Sequence, residues 1–353
     1  LKSKIYINAR FLTQEITGVQ RFAIEICREL ISHERHVQLI APQDILDPAL
    51  ANELNVIKVG KFSGHIWEQL ELPQFLKKNG NPLLLNLCNT APLFYSNKIV
   101  TLHDLAFLKH PEWFSFSFRS YYNFLIPRII NKSKLVFTVS ESVKDDISKF
   151  YHIQKSDITV VYNGLPKIFS SKETCATSFI ERPYFLAIGG RNPRKNLKNC
   201  ILAMGKLGNK DFDLRVISRE DKNFSLDKEL NPENISVIYE TNVNDLRLKY
   251  LYQNARALIY PSFYEGFGIP PLEALNFNCP IILSDIEVFR ELYKQVAVFC
   301  NPSDVDSIKD SINTVIQNNQ PRILEEEVLQ LNNKYSYMNA AEIMNRQVEL
   351  FNN

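Results

Sequence analysis

Nothing in the sequence marks the chain for export or for a bilayer. It opens LKSKIYINAR, without the apolar core of a signal peptide. No apolar run approaches the roughly 20 residues of a membrane span. These absences predict a cytoplasmic protein that does not cross a membrane, although it can still rest on one. There is no excess of one charge sign: 41 Lys and Arg stand against 39 Asp and Glu, a net charge of +2. A general preference for polyanions does not follow. No basic recognition helix or aromatic RNA-binding signature occurs, which argues against nucleic acid as a partner. The six cysteines (Cys27, Cys88, Cys175, Cys200, Cys279 and Cys300) form no Cys-x-x-Cys pair. Most sit in apolar runs and read as buried free thiols in a reducing compartment. No His, Cys, Asp and Glu cluster has the spacing of a zinc site. Asp304-Val305-Asp306 has the look of a metal-binding pair, but it opens the helix-like run Ser307 to Ile316 and reads as capping. No metal is expected.

What is present points to an α/β protein. A chain of 353 residues, 45% hydrophobic and 23% charged, fits two globular domains of ordinary size. Strand-like segments rich in Ile, Val and Leu alternate with helix-like ones, as in parallel sheets. Strands are expected at 4–9, 37–41, 83–87, 99–102, 135–140 and 158–162, then at 184–189, 214–218, 235–239, 257–260 and 279–283. Gly18 to Ser32 reads as a helix with Val19, Phe22, Ile26 and Leu30 on its buried face. Ser140, or Ser142, caps the helix that follows the 135–140 strand. The first domain is placed at 1–169 and the second at 170–335, with the polar stretch Ser170 to Arg182 as linker. A capped helix, Ser336 to Phe351, ends the chain.

Two stretches carry an ambiguous signal. Trp113 to Ile130 is rich in aromatics and holds Arg119 and Arg128. It reads as a core helix interrupted near Pro127, or as a surface for anionic lipid headgroups. Trp67 to Pro73 reads as an amphipathic helix stopped by Pro73.

The chemistry concentrates in Tyr260 to Leu275, YPSFYEGFGIPPLEAL. Glu265 and Glu273 lie eight positions apart, with Gly266, Phe267, Gly268, Pro270 and Pro271 between them. A strand, a Gly-rich turn and a helix are expected. The glycines let backbone N–H groups approach a ligand, Pro271 suits a first helical turn, and a helix start attracts anions. One carboxylate is placed in the loop and the other in the first helical turn, where both accept hydrogen bonds from sugar or ribose hydroxyls. A second block, Gly189-Gly190-Arg191-Asn192-Pro193-Arg194-Lys195-Asn196, leads into the helix Leu197 to Leu207. Pro193 is read as setting a helix start, and three cations crowd an end that already favours a diphosphate. Its two glycines lack the third of a dinucleotide fingerprint, so no such cofactor is supported. Gly18 stands at another loop-to-helix junction. His103 follows a predicted strand directly, at the edge where open parallel sheets bind ligands. A neutral imidazole there donates to a sugar hydroxyl or helps to orient it.

The spacing of Glu265 and Glu273, with its Pro-Ser, Gly-Phe-Gly, Pro-Pro and Leu-Glu-Ala context, resembles the signature of glycosyltransferase family 4. Trp67-Glu68-Gln69 with Leu72-Pro73 is similar to a motif of the polysaccharide mannosyltransferase-like subgroup. The resemblance spans essentially the whole chain. It implies the GT-B fold, with two facing Rossmann-like domains and a cleft between them, the first on the acceptor side and the second binding the nucleotide sugar. It further implies that the last helix packs back on the first domain. By the same resemblance His103 and Glu265 are catalytic. Gly18, Arg191 or Arg194, Lys195, Gly266, Phe267, Gly268 and Glu273 bind the donor, with Lys195 and one arginine on the diphosphate and Glu273 on the ribose. The implied activity is retaining transfer of a hexose, with mannose from GDP-mannose the first choice, to a lipid-linked oligosaccharide of a bacterial surface polysaccharide. A donor phosphate oxygen would take the acceptor proton, and no cofactor beyond the nucleotide sugar would be needed. The enzyme would work in the cytoplasm, in peripheral contact with the inner membrane. The rival readings are a nucleotide-sugar epimerase or hydrolase, or a nucleotide-binding module without turnover.

Overall fold

Alternating apolar strands and amphipathic helices close into two parallel sheets. The structure, a computed structural model, describes residues 4–33, 36–171, 182–190, 192–208, 210–218, 235–319 and 324–351. Arg191, Cys175 and most of the expected linker lie outside the described residues. The chain divides into two units, Leu1–Pro166 with Lys334–Asn353, and Lys167–Asn333.

The first unit holds a seven-stranded sheet: β1 (Ile5–Asn8), β2 (Val37–Ala41), β3 (Ile57–Lys58), β4 (Leu84–Asn86), β5 (Lys98–Leu102), β6 (Leu135–Thr138) and β7 (Ile158–Val160). The order is β3-β2-β1-β4-β5-β6-β7, and every pairing is parallel. All of β5 and β6 is buried, as expected of strands covered on both faces. The helix Gly18–Ser32 buries Phe22, Ile26 and Leu30, and the Gln20 side chain closes its first turn by accepting from the Thr17 N–H at 3.1 Å. The last helix, Tyr337–Glu349, packs against it.

The second unit holds β8 (Tyr184–Ile188), β9 (Asp213–Ile217), β10 (Val237–Glu240), β11 (Leu258–Tyr260), β12 (Ile281–Ser284) and β13 (Ala297–Cys300). They form a six-stranded parallel sheet in the order β10-β9-β8-β11-β12-β13. Each unit is thus Rossmann-like. The core of the second unit gathers Phe185, Leu214, Val216 and Ile259 from the strands with Cys200, Met204, Ile308 and Ile312 from the helices.

Three local expectations need correction. Pro73 does not stop its helix. A π turn, Trp67–Glu71, runs without a break into Leu72–Lys78, and its wider winding just ahead of Pro73 accommodates the missing N–H. Pro127 likewise lies inside one continuous helix, Phe116–Asn131. The buried stripe Leu125, Ile126, Ile129 and Ile130 carries the helix through the lost hydrogen bond, while Phe116 and Phe124 face solvent. Finally, β3 and β13 went unanticipated; β3 has two residues, too few to show a period.

The capping assignments fare better. The Ser140 side chain accepts from the Val143 N–H. Asp304 accepts from the Asp306 N–H at the start of Val305–Ile316.

Candidate active site

In both sheets the strand order reverses at one place, between β1 and β4 and between β8 and β11. Loops leaving the carboxyl ends of such a strand pair run to opposite faces and leave a crevice for ligand. In the second unit those loops are 189–196 and 261–268, the two blocks richest in chemistry.

The loops are stitched together by the backbone. The Phe263 N–H donates to the Arg194 carbonyl at 2.9 Å. Asn196 adopts a left-handed conformation with φ 55°, which Asn tolerates better than most residues. Its amide donates to the carbonyls of Pro261, at 3.0 Å, and Pro302, at 2.7 Å. This corrects the expected helix start at Pro193. Pro193–Lys195 is a 3-10 turn, and Asn196 separates it from the helix Leu197–Leu207. Arg194 and Lys195 therefore stand in the turn ahead of the helix.

From that turn Lys195 reaches across the crevice. Its Nζ donates to Glu265 Oε1 at 2.7 Å and to the Tyr260 hydroxyl, and lies 4.5 Å from the centre of the Tyr260 ring. Arg194 stands 3.9 Å from Glu265 Oε2. Burial would raise the Glu265 carboxyl, but Lys195 and Arg194 outweigh it and bring it down to about 2. Glu265 is therefore a fixed anion at neutral pH. Tyr260 is driven up instead, by burial and by the Glu265 charge, and keeps its proton.

Glu273 sits differently. The helix begins at Ile269, because Pro270 and Pro271 both fit its first turn. Glu273 is thus its fifth residue, not a member of the first turn as expected. It is buried, and the Tyr252 hydroxyl donates to its Oε2 at 2.9 Å. Gly268, just before the helix, has φ 86°, and a Cβ there would lie 2.6 Å from Cε1 of the fully buried Phe289. Only glycine fits both demands. Phe267 is buried, and so is Gly266.

Of the remaining site candidates, Gly18 and His103 belong to the first unit, and Arg191 lies outside the described residues. Gly18 is the first residue of its helix and is exposed. His103 is buried, packs edge-on against Phe22 at 4.8 Å, and places Nε2 2.8 Å from the Leu87 carbonyl. Burial lowers its basicity, despite the Leu87 bond and nearby Asp104. The neutral ring then carries its proton on Nε2 and gives it to Leu87. With Nε2 engaged by Leu87, Nδ1 is the ring atom left to accept, which fits the expected role of orienting a sugar hydroxyl better than that of donating to it. Sequence reading missed Tyr252, Tyr260 and Asn196 as parts of the site. Tyr260 and Asn196 lay inside the blocks singled out, but no spacing reveals which polar group a side chain will meet.

Comparison with known proteins gives both units a family. The family description "Glycosyl transferases group 1" matches residues 176–332, and "Glycosyltransferase Family 4" matches residues 16–167. The O-antigen chain mannosyltransferase RfbU of Salmonella typhimurium is 34% identical over 258 residues, covering 70% of this chain and 69% of that protein. The chain is a family 4 glycosyltransferase. The O-antigen chain mannosyltransferase B of Escherichia coli is 26% identical over 249 residues, covering 64% of this chain and 62% of its own length. The chain thus spans less than two thirds of that second family member. Among solved structures, Anabaena Alr3699/HepE in complex with UDP and glucose superimposes with a TM-score of 0.73 at 15% identity, covering 98% of this chain and 99% of that one. That likeness concerns the fold, and the family 4 assignment rests on the sequence matches.

Proposed function

We propose that this family 4 enzyme transfers a hexose with retention, mannose from GDP-mannose, to a lipid-linked oligosaccharide of a bacterial surface polysaccharide. The observation that carries the reading is the Lys195–Glu265–Arg194 cluster in the crevice between β8 and β11. A departing nucleoside diphosphate gains charge as its bond to the sugar breaks. Fixed cations stabilise that charge without reorganising. Lys195 and Arg194 supply them, and Glu265 holds both in place. The Glu265 carboxylate also accepts from the sugar hydroxyls and fixes the ring. Glu273, oriented by Tyr252, takes the ribose hydroxyls.

In the proposed step the acceptor hydroxyl attacks the anomeric carbon from the side the diphosphate leaves. The carbon–phosphate-oxygen bond breaks, the new glycosidic bond forms, and the acceptor proton passes to the leaving phosphate oxygen. With two cations in place, the reaction needs no metal and no cofactor beyond the donor. The choice of mannose and of an O-antigen-type acceptor rests on the names of the related mannosyltransferases.

The lipid-linked acceptor places the enzyme at a membrane surface. No helix among the described residues is long and apolar enough to cross a membrane. Exposed Phe116 and Phe124, with the Arg128 guanidinium 3.8 Å from the Phe124 ring, suit an anionic headgroup layer. Co-sedimentation with anionic and with neutral vesicles tests this, and equal binding to both would contradict it. The transfer itself is tested by NMR of the product formed from GDP-mannose with an undecaprenyl-linked oligosaccharide, in excess EDTA. An α-mannoside formed at an undiminished rate is expected. A β-mannoside, free mannose alone, or loss of activity with EDTA would each break part of the reading.

A further inference from the structure

The first unit has its own crevice, between the carboxyl ends of β1 and β4, and the donor chemistry makes no use of it. A buried polar cluster fills its floor. Asn8 ends β1 and Asn86 ends β4, and the Asn8 amide donates to Asn86 Oδ1 at 3.0 Å and to Glu68 Oε1 at 2.8 Å. The same Glu68 oxygen accepts from the Thr90 hydroxyl at 3.0 Å and from Arg10 Nε at 3.3 Å. The Glu68 side chain is 1% exposed. Burial opposes its charge, but Arg10, His65 and Asn8 outweigh that and hold the carboxyl below its ordinary range.

One member of the cluster reaches solvent. His65 places Nδ1 3.2 Å from Glu68 Oε2, and its side chain is 38% exposed. A carboxylate only accepts, so a ring bearing one proton carries it on Nδ1, facing Glu68, and keeps its lone pair on Nε2. Three donors, Asn8, Arg10 and Thr90, thus hold the carboxylate that orients this imidazole, in the manner of a base oriented by a third residue. The Tyr121 ring meets His65 edge-on at 5.1 Å, giving the apolar face of a sugar a wall beside a hydroxyl acceptor. The π turn Trp67–Glu71 sets this register: it carries Glu68 inward, and Trp67 anchors it through Nε1 to the Val59 carbonyl at 2.7 Å. Such turns recur at functional sites.

We propose that His65, oriented by Glu68 over the β1/β4 crevice, accepts a hydrogen bond from a sugar hydroxyl and positions the acceptor saccharide. The acceptor role rests on the transferase reading. Sugar binding at His65 does not, and it is measured without turnover.

The probes are the methyl α-glycosides of mannose, glucose, galactose and N-acetylglucosamine, followed by saturation-transfer NMR on the full chain. Wild type binds at least one of them. His65→Ala weakens that binding about tenfold, the worth of one hydrogen bond. The decisive pair is His65→Gln and His65→Asn. A glutamine amide reaches the position of Nε2, whereas an asparagine amide reaches only that of Nδ1. Glutamine is expected to keep binding within about threefold and asparagine to bind as weakly as alanine. Rescue by asparagine but not glutamine would reduce His65 to a strut for Glu68 and overturn the proposal. So would unchanged binding in all variants, or no binding of any probe by wild type. If His65→Ala fails to fold, the Gln and Asn pair decides alone. Nucleotide-induced stabilisation is expected to be the same in every His65 variant. Its absence from wild type would defeat the transferase reading and leave sugar binding at His65 standing.

Discussion

Replacing Lys195 with methionine keeps the length and apolar stem of the side chain and removes its charge. The consequence is carried by Glu265. The carboxyl lies at about 2 against an ordinary 4.5, worth roughly 3 kcal/mol to the folded state at about 1.4 kcal/mol per tenfold. Arg194, 3.9 Å away, retains part of this, so about 2 kcal/mol is expected to be lost at pH 7. The loss must also depend on pH in one direction. A group with a lowered folded-state value contributes fully above its unfolded value of about 4.5, and the contribution fades as pH falls toward 2. The difference between wild type and Lys195→Met is therefore greatest above pH 4.5 and shrinks below it. Both tryptophans, Trp67 and Trp113, belong to the first unit, so tryptophan fluorescence does not report on this site. Amide hydrogen exchange in β8 and β11, followed at pH 7 and pH 3.5, does. Unchanged protection at pH 7, or an equal loss at both pH values, would refute the argument.

Three further outcomes follow from the same geometry. Gly268→Ala combines a positive φ with a 2.6 Å approach to Phe289. It is expected to destabilise the second unit by about 2–4 kcal/mol in denaturant unfolding; a loss under 1 kcal/mol would contradict the assigned backbone. Tyr252→Phe removes the donor to buried Glu273 and should weaken nucleotide binding several-fold with little effect on melting, by calorimetry; equal affinity would detach Tyr252 from the site. Glu273→Ala should weaken nucleotide binding, while Glu265→Ala should lower chiefly the rate of transfer. Donor affinity and turnover unchanged in both variants would end the site assignment.

Much of the fold was legible because its punctuation is local. Gly and Pro around Glu265, the apolar runs of β5, β6 and β12, and the serine ahead of Val143 each announce an element within a few residues. The pairing of Lys195 with Glu265 crosses 70 positions, and that of Arg10 with Glu68 crosses 58. Spacing carries no information about such pairs, which the topology of the sheets decides. The prolines misled in two places, Pro73 and Pro127, because a π turn and a buried apolar stripe absorb a missing N–H that propensity alone would treat as a stop. His103 was placed at its strand end by sequence, but its direction of hydrogen bonding depends on the Leu87 carbonyl, 16 residues away.

The most direct test of the central claim, that the β8/β11 crevice holds a nucleoside diphosphate, is thermal stability of the full chain with GDP, UDP and dTDP. A ligand at about 100 times its dissociation constant adds roughly 2.7 kcal/mol. The account predicts a clear upward shift with GDP that Lys195→Met abolishes. No shift with any of the three, or one that Lys195→Met leaves intact, would contradict it.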